Sequence, residues 1–212
     1  APRCAVTPPF PGRCYRLAMT DRLAQGHERF DAMNEEDPHL EVVNGAEVPK
    51  ELVYGRRMSS RLERFAPDAP ETVKLAVRAQ HLRRWTLPRS DFPMDRAGYL
   101  TWRTRCAKMH ADLAAEVLGE VGYDEDTVAR VRKLLTKRGL KSDPEVQMLE
   151  DVACLVFLEH YAADFAGQHE HAKVIDIVQK TWAKMSDAGH AAALELPLDP
   201  GVKAVVEEAL GG

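Results

Sequence analysis

One stretch of the chain concentrates residues that can bind a phosphate or a metal ion. His81 stands next to Arg83 and Arg84 in "AQHLRRW", and the loop "TLPRSDFP" brings Arg89 close behind. Histidine can ligate a metal or move a proton near neutral pH, and arginine binds phosphate oxygens through its fork of N–H donors. The stretch therefore predicts either an anion pocket that uses Arg84 and Arg89 or a solvated basic flank.

A second histidine, His110, falls on the apolar side of a helical pattern. Cys106, Leu113 and Val117 recur around it at helical spacing, so the imidazole is expected to point inward. An inward histidine is either a core residue bonded to a backbone carbonyl or a ligand in a buried site. The pattern leaves both interpretations open.

Two adjacent acids, Glu150 and Asp151, interrupt the most apolar pattern of the chain, "QMLEDVACLVFLE". A charge in a buried helix is costly unless it is paired or bound to a metal. We expect one of the two to face inward, either in a salt bridge with an arginine or in a catalytic site. Lys137, in "VRKLLTKRGLK", is a candidate phosphate-binding residue, although a solvated helix end explains the same charges.

The elements that position these residues are predicted to be helices. Asp95, Asp124 and either Ser142 or Asp143 are placed as N-caps, and Gly122 as a helix end. One helix is predicted to run through Trp85 and another over residues 144–168, and "EVVNGAEV" predicts a small hairpin. With no repeat, Gly-rich phosphate loop or domain-length linker, residues 19–212 are predicted to form a single all-α domain.

The first 18 residues differ from the rest of the chain. The segment 1–18 is Pro-rich, carries three arginines and no acid, and lacks the apolar stretch of a secretory signal. We expect a disordered tail. Met19, followed by the helix-capping residue Thr20, is the hypothetical natural start, and a short transit-like segment is the alternative.

The bulk composition narrows the class of protein. With 45% hydrophobic and 29% charged residues over 212 positions, the chain is long enough and apolar enough for one sizeable core. A net charge of −4 indicates no global attraction to nucleic acid, and the apolar runs are too short to cross a membrane. Four cysteines without CxxC spacing predict reduced thiols in a cytoplasmic protein.

Long strings of the chain resemble one uncharacterised family, domain of unknown function 4202, from about residue 23 to 196. The resemblance is carried by "ELVYGRRM", "AQHLRRWTLPRSDFPMDRAGYLTWR", "LEDVACLVFLEHYAADFA" and "KTWAKMSDAGHAAALEL". No established activity comes with this family. The resemblance therefore implies membership without implying a reaction.

The order of elements is also similar to the HD-domain phosphohydrolase superfamily, a helical fold with a bound divalent metal. That similarity implies a metal site formed by His81, His110 and Asp151. Tyr54 stands where the superfamily has an early histidine, and Leu82 where it has the acid of its His-Asp doublet. Neither side chain can ligate a divalent metal in place of the residue it replaces, so the site would have to be rebuilt from the other three.

Three functional hypotheses follow. The first is an HD-like hydrolase, active or degenerate, that uses metal-activated water on a phosphorylated small molecule or nucleotide. The second is a non-catalytic helical module that binds an anionic ligand or RNA through residues 81–105, and the third is a partner-binding protein, a homodimer joined through residues 152–165. In the first hypothesis, Asp151 and Glu150 are catalytic, His81, His110 and Asp151 hold the metal, and Tyr54, Arg57, Arg84, Arg89 and Lys137 bind the substrate.

Overall fold

The computed structural model describes the backbone of residues 12–211 and the side chains of residues 22–211. This part of the chain is all-α apart from one hairpin, as predicted. The first 11 residues of the predicted tail lie outside the described residues, and the first helix begins at Gly12. The elements are α1 (Gly12–Asn34), β1 (Leu40–Val43), β2 (Ala46–Pro49), α2 (Lys50–Phe65), α3 (Glu71–Arg78), α4 (Arg96–Val121), α5 (Glu125–Leu135), α6 (Pro144–His160), α7 (Ala162–Gln168), α8 (His171–Trp182), α9 (Asp187–Leu194) and α10 (Pro200–Gly211).

The predicted hairpin is confirmed, and it determines where α2 begins. Strands β1 and β2 pair antiparallel around Asn44 and Gly45, whose φ angles of 51° and 81° are those of a tight two-residue hairpin turn. The buried carboxylate of Asp37 then accepts a hydrogen bond of 3.0 Å from the backbone N–H of Glu51, in the first turn of α2. This contact fixes the helix that carries Glu51 and Tyr54.

The predicted caps are confirmed where the sequence signal was strongest. Asp95 accepts a hydrogen bond from the N–H of Gly98, and Asp124 and Asp143 cap α5 and α6 in the same way. Gly122 ends α4 with a φ of 89°, a left-handed conformation that glycine adopts without steric cost. These local signals hold because each cap bonds a backbone group within its own helix end.

Two predicted helices are shorter than expected. Helix α3 ends at Arg78, and the chain then turns, with Arg83 in the left-handed region (φ 49°), before a short 3-10 turn at Arg84–Thr86. The side-chain oxygen of Asn34 accepts a hydrogen bond of 3.0 Å from the backbone N–H of Arg83, a tertiary contact that holds this turn. The predicted helix over 144–168 is also divided, into α6 and α7, at Tyr161.

Two hydrophobic cores share helix α6. One side of α6 packs with α1–α5 through residues such as Leu149 and Val152, and the other packs with α8–α10 through Leu155 and Leu158. Each such fully buried side chain contributes about 1.5–3 kcal/mol. The apolar segment 152–165, predicted as a homodimer surface, is therefore largely covered by the chain itself. Within the described residues, no helix combines the length and the apolar character that crossing a membrane requires.

Candidate functional site: a basic cleft with a histidine cluster

A cleft of about 1600 Å³ opens between the two cores, and we call it the basic cleft. Its walls come from α2, α4, α5, α6 and α8, together with the turn after α3. Among the described residues that line it, ten are lysine or arginine and one, Glu150, is a carboxylate. The cationic residues are Arg84, Arg96, Arg103, Lys108, Arg132, Lys133, Lys137, Arg138, Lys180 and Lys184.

Six residues meet at one part of this cleft, and we call them the histidine cluster. Two are one turn apart on α2, three lie on the turn that follows α3, and one is on α4. All but Glu51 line the cleft itself. The members of the cluster are Glu51, Tyr54, Gln80, His81, Arg84 and His110.

His81 is held on several sides. Its ring stacks on that of Tyr54, with the centroids 3.8 Å apart and the planes 10° from parallel. Its Nδ1 lies 2.9 Å from a carboxylate oxygen of Glu51. One guanidinium nitrogen of Arg84 lies 3.3 Å from Nδ1 and 3.1 Å from Nε2. The lone pairs of the two ring nitrogens point in different directions. Because the Arg84 nitrogen lies at nearly the same distance from both, it contacts the ring as a whole and does not form a directed hydrogen bond with either nitrogen.

His110 is buried with one polar atom unused. The residue is 5% exposed, its ring centroid lies 5.7 Å from that of His81, and its Nε2 has no hydrogen-bond partner among the described residues. The side-chain nitrogen of Gln80 is likewise buried without a partner in this part of the chain, although its oxygen accepts from the Tyr54 hydroxyl at 2.9 Å. A buried polar atom left unpaired costs about 1–3 kcal/mol, so these two nitrogens are free to donate a hydrogen bond to a further group.

The electrostatics of the cluster favour neutral imidazoles. Burial lowers the pKa of His81 and of His110 well below the ordinary value, and the nearby Arg84 guanidinium lowers both further. Burial raises the pKa of the Glu51 carboxyl, while Arg84 opposes that rise. Both rings are therefore neutral at neutral pH and can accept a proton.

Glu150 faces the basic cleft from α6. It is 4% exposed and forms an ion pair with Lys137, and the ammonium of Lys184 lies 3.9 Å from its other oxygen. Burial alone would raise the pKa of this carboxyl, but the charge and hydrogen bond of Lys137 outweigh burial and hold the pKa below its ordinary value. Lys137 itself has a φ of 53°, a conformation uncommon for a residue with a side chain. One of the two acids was expected to face inward, with an arginine as its alternative partner; both acids are buried, and the partner of Glu150 is a lysine.

Asp151, the next residue, has a different position from the one that the metal site required. Its carboxylate accepts hydrogen bonds from the backbone N–H of Ser186 at 2.8 Å, from the Ser186 hydroxyl at 2.6 Å and from the side chain of Gln147 at 3.0 Å. These partners tie α6 to the start of α9, and Asp151 does not line the basic cleft. Asp151 therefore contributes to the packing of α9, and the structure does not bring it together with His81 and His110.

The residues present do not fit the predicted three-ligand metal site. Nδ1 of His81 faces Glu51, and the guanidinium of Arg84, itself a cation, lies 3.1 Å from Nε2. Among the side chains of residues 22–211, no three or more from His, Cys, Asp and Glu are grouped so that they could hold a metal ion. His81 and His110 meet as predicted, but Asp151 does not join them.

Two predicted substrate-binding arginines are engaged elsewhere. Arg57 donates to the hydroxyl of Tyr161 at 3.0 Å. Arg89 donates to the backbone carbonyls of Phe92 at 3.0 Å and Pro93 at 2.7 Å, and so braces the loop before α4. Neither lines the basic cleft, so the structure does not place these two arginines with the other predicted substrate-binding residues. Tyr54, Arg84 and Lys137, the other three, do line it.

Sequence reasoning missed three residues that shape the site. Glu51 precedes Tyr54 by three positions, a spacing that places both on one helix face, and this signal could have found it. Gln80 is adjacent to His81, but adjacency does not predict burial. Lys184 carries no local signal, because only the position of the turn after α8 beside Glu150 of α6 brings it into the cleft. Arg103 also lines the cleft, and it lies within the basic segment 81–105 that the sequence had marked.

The arrangement can bind an anion and hold a proton acceptor beside it. No curated protein and no solved structure matches the chain. The family model described as domain of unknown function, DUF4202, matches residues 24–206. This match covers most of the chain and agrees with the strings that carried the resemblance in the sequence. The chain therefore belongs to the DUF4202 family.

Proposed function

We propose that the basic cleft binds a small molecule that carries two or more phosphate groups. The observation that supports this proposal best is the charge of the lining, in which ten cationic side chains and one carboxylate are found among residues 22–211. The whole chain, by contrast, has a net charge of −4. Cations gathered around a concave cleft attract an anion more strongly than the same charges spread over a surface, because the cleft focuses their field.

Four of these ten cations have no carboxylate of residues 22–211 within salt-bridge distance. The other six pair with acids around the cleft, such as Lys137 with Glu150. The four are arginines, whose planar donors match the oxygens of a phosphate. These four residues are Arg84, Arg96, Arg103 and Arg138.

The shape of the site favours a small ligand over RNA. The cations line a cleft whose inner part holds the buried His110 and Gln80, and a single phosphate group fits such a place. An RNA-binding surface instead follows the nucleic acid backbone as an open groove with stacking platforms. RNA binding through residues 81–105 is therefore treated as the alternative outcome of the test.

The test compares an arginine that lines the cleft with a nearby arginine that does not. Arg103 lines the cleft, whereas Arg105, two residues further on α4, does not. Titration calorimetry would measure the affinity of the wild type, Arg103→Gln and Arg105→Gln for pyrophosphate and for ATP. Because a charge-assisted hydrogen bond is worth about 1.5–3 kcal/mol, Arg103→Gln should weaken binding about tenfold to a hundredfold, and Arg105→Gln less than about twofold.

Two results would contradict the proposal. Equal losses in the two variants would show that the cleft is not the binding site. Tight binding of a single-stranded RNA oligomer, with no binding of pyrophosphate or ATP, would favour the RNA-binding alternative.

Hydrolysis of the same ligand is the second candidate function, and the pairing of Glu51 with His81 favours it. A carboxylate that holds one ring nitrogen of a neutral histidine is the usual way to orient a general base. Release of inorganic phosphate from ATP or p-nitrophenyl phosphate would test this function. Turnover that His81→Gln abolishes would support it, whereas turnover that persists in the variant would remove His81 from it.

A further inference from the structure

We propose that one phosphate group of the ligand binds within the histidine cluster against Nε2 of His110, and that His110 takes up a proton when this anion binds. The inference rests on the proposed function, because it assigns one subsite of the same basic cleft. The subsite recognises a tetrahedral oxyanion, and the binding of that anion is coupled to the protonation of His110.

The geometry supplies the first argument. His110 is 95% buried, lines the cleft, and has an Nε2 without a partner among the described residues. Gln80 offers a second buried nitrogen without a partner there, and its oxygen is occupied by Tyr54. Buried nitrogens without a partner, on side chains that line a cleft, are suited to the oxygens of a ligand.

The charges around His110 supply the second argument. A protonated imidazole is unfavourable here without a ligand, because the ring is buried and because Arg84 and Lys137 already bring positive charge. An anion seated between these groups reverses the sign of the local potential, so the protonated ring gains an ion pair. The titratable and charged groups that face His110 are Glu51 and Tyr54 from α2, His81 and Arg84 from the turn after α3, Lys137 from the end of α5, and Cys106 from α4 itself.

The proton balance is simple. The free site holds a neutral ring with one N–H, and the occupied site holds a ring with two N–H donors, one of which faces the anion. The added proton comes from solvent, and no bond of the ligand breaks. Each chain therefore takes up at most one proton per bound anion at His110.

The test uses sulfate, which has no titratable proton near neutral pH, so that every proton taken up belongs to the protein. Sodium sulfate would be added to unbuffered protein in a pH-stat at about pH 6, with sodium chloride of equal ionic strength as the reference. The wild type should take up about 0.5–1 proton per chain at saturation. His110→Gln keeps a side-chain donor, so it should still bind sulfate but take up less than about a fifth as many protons.

A matched histidine serves as the control. His171 is exposed on α8 and contacts Glu208, away from the cleft. His171→Gln should therefore take up as many protons as the wild type. If His110→Gln does not fold, nitrogen NMR of the imidazoles in the wild type replaces it, with His110 assigned from its contacts within α4. Sulfate should then convert that ring from the neutral to the doubly protonated form.

The outcomes separate this inference from the proposed function. Sulfate binding without proton uptake, uptake that His110→Gln retains, or a His110 ring that stays neutral would overturn the inference and leave the anion site in place. Binding of pyrophosphate without any binding of sulfate would overturn it as well. Failure of sulfate, pyrophosphate and ATP alike to bind would overturn both.

Discussion

Two adjacent carboxylates on α6 have opposite roles in the same protein. Glu150 faces the basic cleft and binds the ammonium groups of Lys137 and Lys184. Asp151 faces the other way and binds the neutral donors of Ser186 and Gln147. Both are at least 96% buried, so burial alone does not distinguish a residue of the site from a residue of the fold.

The type of partner makes the distinction. Backbone, hydroxyl and amide donors hold Asp151 in one geometry, and a ligand has nothing to add there. Flexible ammonium groups hold Glu150 inside an excess of positive charge, and an anion can compete for them. A buried acid satisfied by neutral donors is therefore interpreted as structural, and one satisfied by mobile cations at a cleft as a part of the candidate site.

The largest expected effect is on stability, in Asp151→Ala. The substitution removes the acceptor of three hydrogen bonds, two from Ser186 and one from Gln147, in a half-buried place. At about 1–3 kcal/mol for each bond to a charged group, the free energy of unfolding should fall by about 3–5 kcal/mol. Urea unfolding would measure the loss, and calorimetry with pyrophosphate should find the affinity of the folded protein unchanged. A stable variant with weakened binding would reverse the roles assigned here.

The second effect tests how closely α9 approaches Asp151. A Cβ on Gly189 would lie 2.7 Å from an oxygen of that carboxylate, so Gly189→Ala should cost about 1–3 kcal/mol through displaced packing. Gly119, on α4, is the matched control, because a Cβ there meets nothing within 4 Å. Gly119→Ala should be neutral or stabilise by up to about 1 kcal/mol. Similar Tm values for the two variants would argue against the close contact.

The third effect is a pH dependence that originates in the histidine cluster. The pKa values of His81 and His110 are well below the ordinary value in the folded protein. In the unfolded chain both imidazoles bind protons near about pH 6.5. The unfolded state therefore binds more protons, and the free energy of unfolding should fall as the pH drops from about 7.5 to 5.5, by at most about 1.4 kcal/mol per unit for each histidine.

Urea unfolding at several pH values would measure this slope. His110→Gln removes the share of one buried histidine and should make the slope shallower, while the control His171→Gln should leave it as in the wild type. An unchanged slope in His110→Gln would mean that the pKa of this ring is the same in the folded and the unfolded protein, contrary to the environment described above.

The smallest effect concerns the Glu150 side of the comparison. Glu150→Gln removes the one carboxylate among the described residues of the cleft lining and releases Lys137 and Lys184 for a ligand. The affinity for pyrophosphate should rise about threefold to tenfold, which corresponds to about 1 kcal/mol. Calorimetry at two salt concentrations would check that the gain shrinks as screening increases. A loss of affinity would mean that Glu150 orders the lysines instead of competing for them.

Local signals predicted much of the fold. Asp95, Asp124 and Asp143 cap their helices, Asn44 and Gly45 form the hairpin turn, and the capped helical patterns produce an all-α chain. These features depend on contacts within a few residues, so the chain specifies them without its neighbours. Where a distant contact intervenes, as when Asn34 holds the backbone of Arg83, the helical pattern predicted a helix that the structure does not form.

The candidate site was predicted only in part. Tyr54, His81, Arg84, His110, Lys137 and Glu150 meet at the cleft, and their residue types and helical positions had marked them in the sequence. Arg57, Arg89 and Asp151 have the same types, yet each bonds a group of the protein itself. The residue type determines which chemistry a side chain can perform, but it does not determine which group the side chain contacts in the folded protein.

The sequence by itself determined the family, the helical class, the caps and the presence of buried acids and histidines among basic residues. Only the tertiary structure decided that Glu150 and Asp151 diverge, that Glu51 orients His81, and that ten cations converge on one cleft. The physical reason is that successive side chains on a helix point about 100° apart, so the local sequence determines the direction of each side chain. The groups that each side chain meets belong to distant segments, and only the packing of those segments decides which groups they are.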